Sequence, residues 1–170
     1  EQILAKLLLT TVCYGHFFIE HNRGHHVRVS TREDPASARY RESFYAFYPR
    51  TVIGSYLNAW RLEAARLSQH RFAFTSWHNQ MLWFAAIPLG ILLVFWLALG
   101  PLAAVLFLVQ SVMAFTLLEL VNYIEHYGLV RKKLDTGRHE RVTHQHSWNA
   151  TDTLTNCFLI HLQRHSDHHA

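Results

Sequence analysis

Between Arg71 and Arg131 the sequence holds no lysine or arginine, and from Phe72 to Leu118 it holds no charged residue of either sign. Only 16% of the chain is charged, below the quarter usual in soluble domains, while 50% is apolar. Cysteine is nearly as scarce. Cys13 and Cys157 stand alone in apolar surroundings and no CxxC occurs, which leaves a disulfide framework, a zinc ribbon or an iron–sulfur site without support. No P-loop, GxGxxG or Ser-His-Asp elbow is found either. The net charge of +4 raises nucleic acid as a partner, but no basic helix or aromatic–basic alternation accompanies it, so none is expected.

The uncharged block is too long for one membrane crossing, and Gly100-Pro101 divides it. Each half holds about 18 to 20 residues, enough at ~1.5 Å per residue to cross a ~30 Å hydrocarbon layer. Residues 72–124 are therefore expected to form a transmembrane hairpin, with Trp77, Trp83 and Trp96 as anchors near the interface. A hairpin returns both Lys/Arg-rich flanks to one side, which the positive-inside rule makes the cytoplasmic one. Ile3 to Ile19 is also nearly all apolar, and is expected to be helical and to supply most of a further crossing; a buried core helix is the competing reading. Thr51 to His70 spaces Val52, Tyr56, Trp60, Ala64 and Leu67 as an amphipathic helix, at the bilayer surface or over the core. Ahead of it, Ser30 to Pro35 reads as a turn, and Phe44, Tyr45, Phe47 and Tyr48 before Pro49 suit the membrane interface. The fold expected is all-α: an integral membrane helical bundle with about three transmembrane helices plus interfacial and cytoplasmic ones. Residues 1–170 are read as a single membrane-embedded catalytic domain, a window on a longer protein truncated at both ends.

Against this background the chain is rich in histidine, with 14. His21, His25 and His26 follow Glu20 in an H-x3-HH spacing that, on a continued helix, puts His21 and His25 on one face. Glu119, Asn122 and His126 lie three and four apart where the second half of the hairpin leaves the membrane, with Glu125 beside them. The chain closes on His161, His165, Asp167, His168 and His169; if Asn156 to His169 is helical, His161, His165 and His168 share one face. A lone histidine is more often a satisfied core residue than a ligand. Three clusters on one side of a membrane reverse those odds.

Neutral imidazole is the commonest nitrogen ligand of transition metals. Seven of these imidazoles, His21, His25, His26, His126, His165, His168 and His169, exceed the four ligands of one tetrahedral zinc and suit two metal ions. Nitrogen donors without thiolates, in a membrane, favour iron that activates O2 over zinc hydrolysis. Glu20, Glu125 and Asp167 stand ready to orient imidazole N–H groups or to ligate directly, with Asn122 as a further neighbour. His16, His139, His144 and His161 are expected to be structural, and His146 stays open.

Glu20-His-Asn-Arg-Gly-His-His26, Asn122-Tyr-Ile-Glu-His-Tyr-Gly128 and Leu162-Gln-Arg-His-Ser-Asp-His-His169 together resemble the membrane-bound alkane 1-monooxygenases, within the larger group of histidine-box membrane oxygenases and desaturases. Glu33 to Ser37 and His146 to Asn149 share the likeness, which covers essentially the whole chain. The resemblance implies a six-helix membrane enzyme, expected in the bacterial inner membrane, with a non-haem di-iron centre on the cytoplasmic side. Such enzymes convert n-alkanes to 1-alkanols with O2 and electrons from rubredoxin, itself reduced by an NAD(P)H-dependent reductase. It carries the iron ligands over to His21, His25, His26, His126, His165, His168 and His169. The family's HExxHK-type box, with two further histidines, would lie before Glu1. A membrane fatty-acid desaturase or hydroxylase is the alternative enzyme, since His165 to His169 fits its HxxHH box. A metal transporter is a poorer fit, because the uncharged block contains only His78 as a mid-membrane ligand.

Overall fold

A computed structural model describes residues 2–150 together with His165 and Ser166. Among the described residues every regular element is a helix or helical turn, and the nearest approach to a sheet is an isolated antiparallel bridge between Lys133 and His139. In chain order the helices are α1 (Gln2–Thr11), α2 (Phe17–Glu20), a π turn (His21–His25), α3 (His26–Arg28), α4 (Phe44–Gln69), α5 (Gln80–Leu99), α6 (Pro101–Glu125) and a 3-10 turn (His144–His146). The all-α expectation is met. The backbone divides into two compact units, one built from residues up to Gly24 with Ile53–Leu118, the other from His25–Val52 with the described residues from Glu119 onward.

α5 and α6 are the two described helices long and apolar enough to cross a membrane. Their outward leucines stay uncovered: Leu89, Leu97, Leu102 and Leu117 are each more than 60% exposed. A water-soluble core helix would bury such residues, whereas a lipid layer takes them as they are. Both helices therefore belong to a membrane helical bundle. Gly100 alone separates them, at φ 88°, and Pro101 opens α6 where a missing N–H costs nothing. Across that turn the rings of Phe95 and Phe107 meet edge to face at 5.6 Å.

The first apolar segment departs from expectation. Ile3 to Ile19 is not one helix, so two rather than about three crossings are found among the described residues. Thr10 and Thr11 turn their hydroxyls onto the carbonyls of Lys6 and Leu8, and Cys13 enters the left-handed region at φ 58°. Gly15 then passes so close to Phe84 that a β-carbon would lie 2.6 Å from its ring. Chain direction is reset before α2 begins.

α4 also differs from its pattern. It starts at Phe44, where the Ser43 hydroxyl accepts the Ala46 N–H, and runs through Pro49. Its buried line is Phe47, Thr51, Ser55, Ala59, Glu63 and Leu67, one residue out of phase with the apolar stripe, and Tyr56 is 43% exposed. The small and polar residues on that line are there to be bonded. Glu63 receives both Arg66 Nε (2.8 Å) and Arg66 Nη2 (2.6 Å), and its Oε1 accepts the Gln80 N–H at 2.8 Å. Asn79 caps the same helix start through Met81 N–H, so α5 begins at Gln80 rather than Phe72.

In the second unit, Arg50 on α4 grips Glu42 with both Nε and Nη2 and also donates to the carbonyls of Pro35 and Ser37. This shapes the loop after α3. Gly128, at φ 72°, ends the α6 segment and donates its N–H to Ala38 O at 2.9 Å. Arg131 N–H reaches Ser30 O and its side chain donates to Glu140 O, tying the chain after α6 to the same loop.

Candidate metal centre

His25 closes the π turn, His126 follows the last residue of α6, and His165 comes from the far end of the chain. All three are buried, and one ligand atom from each lies within 4.8 Å of the other two. His126 Nε2 is 3.1 Å from His25 Nε2 and 3.1 Å from His165 Nε2.

What turns the Nε2 atoms inward is the set of groups facing each Nδ1. Asp34 Oδ2 lies 2.8 Å from His25 Nδ1. The carbonyl of His146 lies 3.2 Å from His126 Nδ1, with Ser147 Oγ at 3.5 Å. Glu125 Oε2 is within ion-pair distance of His165 Nδ1, at 3.2 Å. The Asp34 carboxylate and the His146 carbonyl accept hydrogen bonds, which favours a proton on Nδ1 of His25 and His126 and a lone pair on their Nε2. Nε2 of His165 faces the same point, and a cation there would be met by imidazole nitrogen from three sides. Nitrogens bound at right angles to one ion by ~2.1 Å bonds would stand ~3.0 Å apart, close to the spacing found. The donor set fits a metal ion.

The supports are themselves fixed. Asp34 Oδ2 accepts from Ser37 Oγ at 2.6 Å, its Oδ1 accepts Ala36 N–H, and Ser37 Oγ accepts Ser30 N–H. Ser30 Oγ in turn donates to the His146 carbonyl at 2.8 Å. Asn149 pairs reciprocally with Ser166, receiving its N–H at 3.0 Å and donating to its Oγ at 2.6 Å, which anchors the residue next to His165. Trp148 N–H donates to Glu125 O at 2.8 Å, bringing the 146–149 segment to the end of α6.

Of the seven histidines expected as ligands, the structure brings together His25, His126 and His165. His21 stacks on Phe17 at 4.9 Å, in the other unit, and the ring of His26 is 6.2 Å from that of His25. The π turn is the reason that a simple i, i+4 face does not describe this stretch. His168, His169 and Asp167 lie outside the described residues, as do His161 and the expected helix before it. Glu125 Oε2 lies 3.2 Å from His165 Nδ1, Glu20 holds Asn58 Nδ2 at 3.1 Å, and Asn122 donates to Glu119 Oε2 at 3.3 Å. His146 contributes its carbonyl. Its ring is engaged elsewhere, Nδ1 accepting Thr143 N–H at 2.9 Å and Nε2 facing Glu140 Oε1. Asp34 was not singled out as a site residue; the Glu33-Asp-Pro turn and the family likeness of Glu33 to Ser37 were the signals that contained it.

A family model described as fatty acid desaturase matches residues 2–170. The chain belongs to the fatty acid desaturase family. It is 58% identical over 170 residues to alkane 1-monooxygenase 2 of Pseudomonas aeruginosa, covering 100% of this chain and 45% of that protein. To the alkane 1-monooxygenase of Ectopseudomonas oleovorans it is 44% identical over 170 residues, covering 100% of this chain and 42% of the relative. A more distant relative is the hydroxylase component of a xylene/toluene monooxygenase from Pseudomonas putida, 27% identical over 152 residues, or 89% of this chain and 40% of that one. The chain thus spans a little under half the length of the curated relatives it matches. The likeness to alkane 1-monooxygenases that the histidine motifs carried is present along the whole chain.

Proposed function

We propose that this chain is the histidine-rich part of a membrane hydroxylase that uses iron and O2 to convert n-alkanes to 1-alkanols. The observation that carries the reading is the convergence of Nε2 from His25, His126 and His165, with Asp34 and the His146 carbonyl behind the first two rings. Relatives named alkane 1-monooxygenase support the substrate class. Atoms balance when R–CH3 and O2 take two electrons and two protons to give R–CH2OH and water. Rubredoxin, served by its reductase, is the proposed electron donor. His21, His26, His168 and His169 complete the ligand set, and the metal is a pair of irons. The whole of residues 1–170 acts as one membrane-embedded catalytic domain, set in the bacterial inner membrane with its histidines toward the cytoplasm.

Bound iron supplies the O2 chemistry. The chain's own residues do the positioning. Asp34 keeps Nδ1 of His25 protonated and fixes its ring plane, while Glu125 stands 3.2 Å from Nδ1 of His165. The His146 carbonyl does the same for His126 without adding charge. The lipid-facing leucines of α5 and α6 let an alkane dissolved in the bilayer reach the protein without crossing water.

The test is turnover by the full-length protein in membranes, with n-octane, ferrous iron, rubredoxin and its reductase, under 18O2. 1-Octanol carrying one labelled oxygen is the expected product. The family model's description keeps a fatty-acyl desaturase as the second reading. An inert n-octane together with an unsaturated fatty-acyl product would replace the first reading with the second.

A further inference from the structure

The first unit contains a cavity of about 290 Å³ lined by Cys13, His16, Tyr56, Met81, Phe84, Ala85 and Pro88, among others. Its walls are mostly apolar and carry no Asp, Glu, Lys or Arg. Cys13 and Tyr56 bring polar atoms to it, and so does His16. His16 is only 7% exposed, sits between the rings of Tyr14 (4.5 Å) and Tyr56 (5.2 Å), and its Nε2 has no hydrogen-bond partner. A buried imidazole nitrogen left unpaired is costly, and native proteins rarely leave one so without a ligand or a water to meet it.

We infer that this cavity binds a medium-chain primary alkanol, its hydroxyl on His16 Nε2 and its tail along Met81, Phe84 and Pro88. The polarity decides the class. An alkane would leave Nε2 unpaired, and a carboxylate would need a cation that the walls do not supply. A hydroxyl both donates and accepts, so it satisfies either tautomer of the imidazole. A water molecule needs two to four polar partners, and apolar walls offer few. The volume is near the lower end for small-molecule sites, which suits a slender aliphatic chain. Leu89 at the rim lies on the exposed face of α5, so the molecule enters from lipid. The choice of a primary alkanol rests on the proposed function; the cavity and its unpaired His16 Nε2 do not. The site would bind the reaction's product class and let it inhibit.

The test uses the full-length protein in nanodiscs and two photoreactive probes, a medium-chain primary alkanol and the matching alkane, each bearing one diazirine. Labelled peptides are mapped by mass spectrometry, which needs no turnover. The alkanol should label the peptide carrying Met81 and Phe84 about fivefold more than the alkane at equal concentration, the yield of one hydrogen bond. His16→Phe should bring the two probes level, and His16→Gln should restore part of the difference. Ala85→Leu, which fills the cavity and leaves His16 in place, should abolish labelling by both. Equal labelling by the two probes in the wild-type protein, or an alkanol preference that survives His16→Phe, would overturn the inference. Failure of alkane turnover with the labelling pattern intact would strike the proposed function instead.

Discussion

Asp34 meets His25 through one short contact, and three neighbours, Ser37, Ala36 and Ser30, hold the turn that places it. Asp34→Asn keeps the shape and removes the charge that favours the Nδ1 proton on His25. Iron affinity should fall about 10- to 100-fold, the usual cost of losing such a support. Iron retained after dialysis against a graded chelator series measures it; retention equal to wild type would show that Asp34 does not position a ligand. Asn149→Ala should act more weakly, by releasing Ser166 beside His165. These two residues mark the limit of what the pattern reveals. Histidine spacing exposed His25, His126 and His165, and Glu125 stood next to one of them in sequence. Asp34 reads as an ordinary turn residue, because its partner is reached only by the fold of the loop after α3.

At the scale of the element, α4 shows which of two places its apolar stripe takes. The sequence left Val52, Tyr56 and Trp60 either at the bilayer surface or over the core, and the line that is buried carries Thr51, Ser55 and Glu63 instead. A buried carboxylate needs partners, and Glu63 has Arg66, Arg23 and the Gln80 N–H. Burial pushes its pKa up, but hydrogen bonds from Arg66 and Gln80 and the charges of Arg66 and Arg23 outweigh it and hold the group below its ordinary 4.5. A lowered folded pKa gives stability that is present above about 4.5 and lost as pH falls through the folded value. Glu63→Gln should therefore cost about 1.5–3 kcal/mol at neutral pH, as loss of a charged buried hydrogen bond does. The gap between variant and wild-type melting in detergent should close as pH drops below that range; a gap independent of pH would contradict the charge's role. Gly128→Ala should cost about 1–2 kcal/mol in the same assay, since φ there is 72° and Tyr40 lies 3.4 Å from where the β-carbon would stand. The long helices α5 and α6 were legible because nothing competes with 1.5 Å of rise per apolar residue. The break after α1 was not, because it depends on threonine back-bonding and on Phe84, 69 positions from Gly15.

The whole molecule joins segments distant in sequence by means of the membrane helices. His25, His126 and His165 are 101 and 39 residues apart, yet their Nε2 atoms meet at 3.1 Å. A membrane core without charge leaves the ionisable groups to gather at the helix exits, where Glu119, Asn122, Glu125 and His126 cluster at the end of α6. That arrangement suits the function proposed, a hydroxylase acting on bilayer-dissolved substrate. Its central claim is that these three imidazoles hold metal. The direct measurement is elemental analysis of the purified full-length protein after iron-replete growth, wild type beside His126→Ala, with circular dichroism to verify that both are folded. About two irons per wild-type chain and a clear loss in His126→Ala are predicted. A folded His126→Ala protein that keeps the wild-type iron content, or a wild-type protein holding zinc and no iron, would contradict the account.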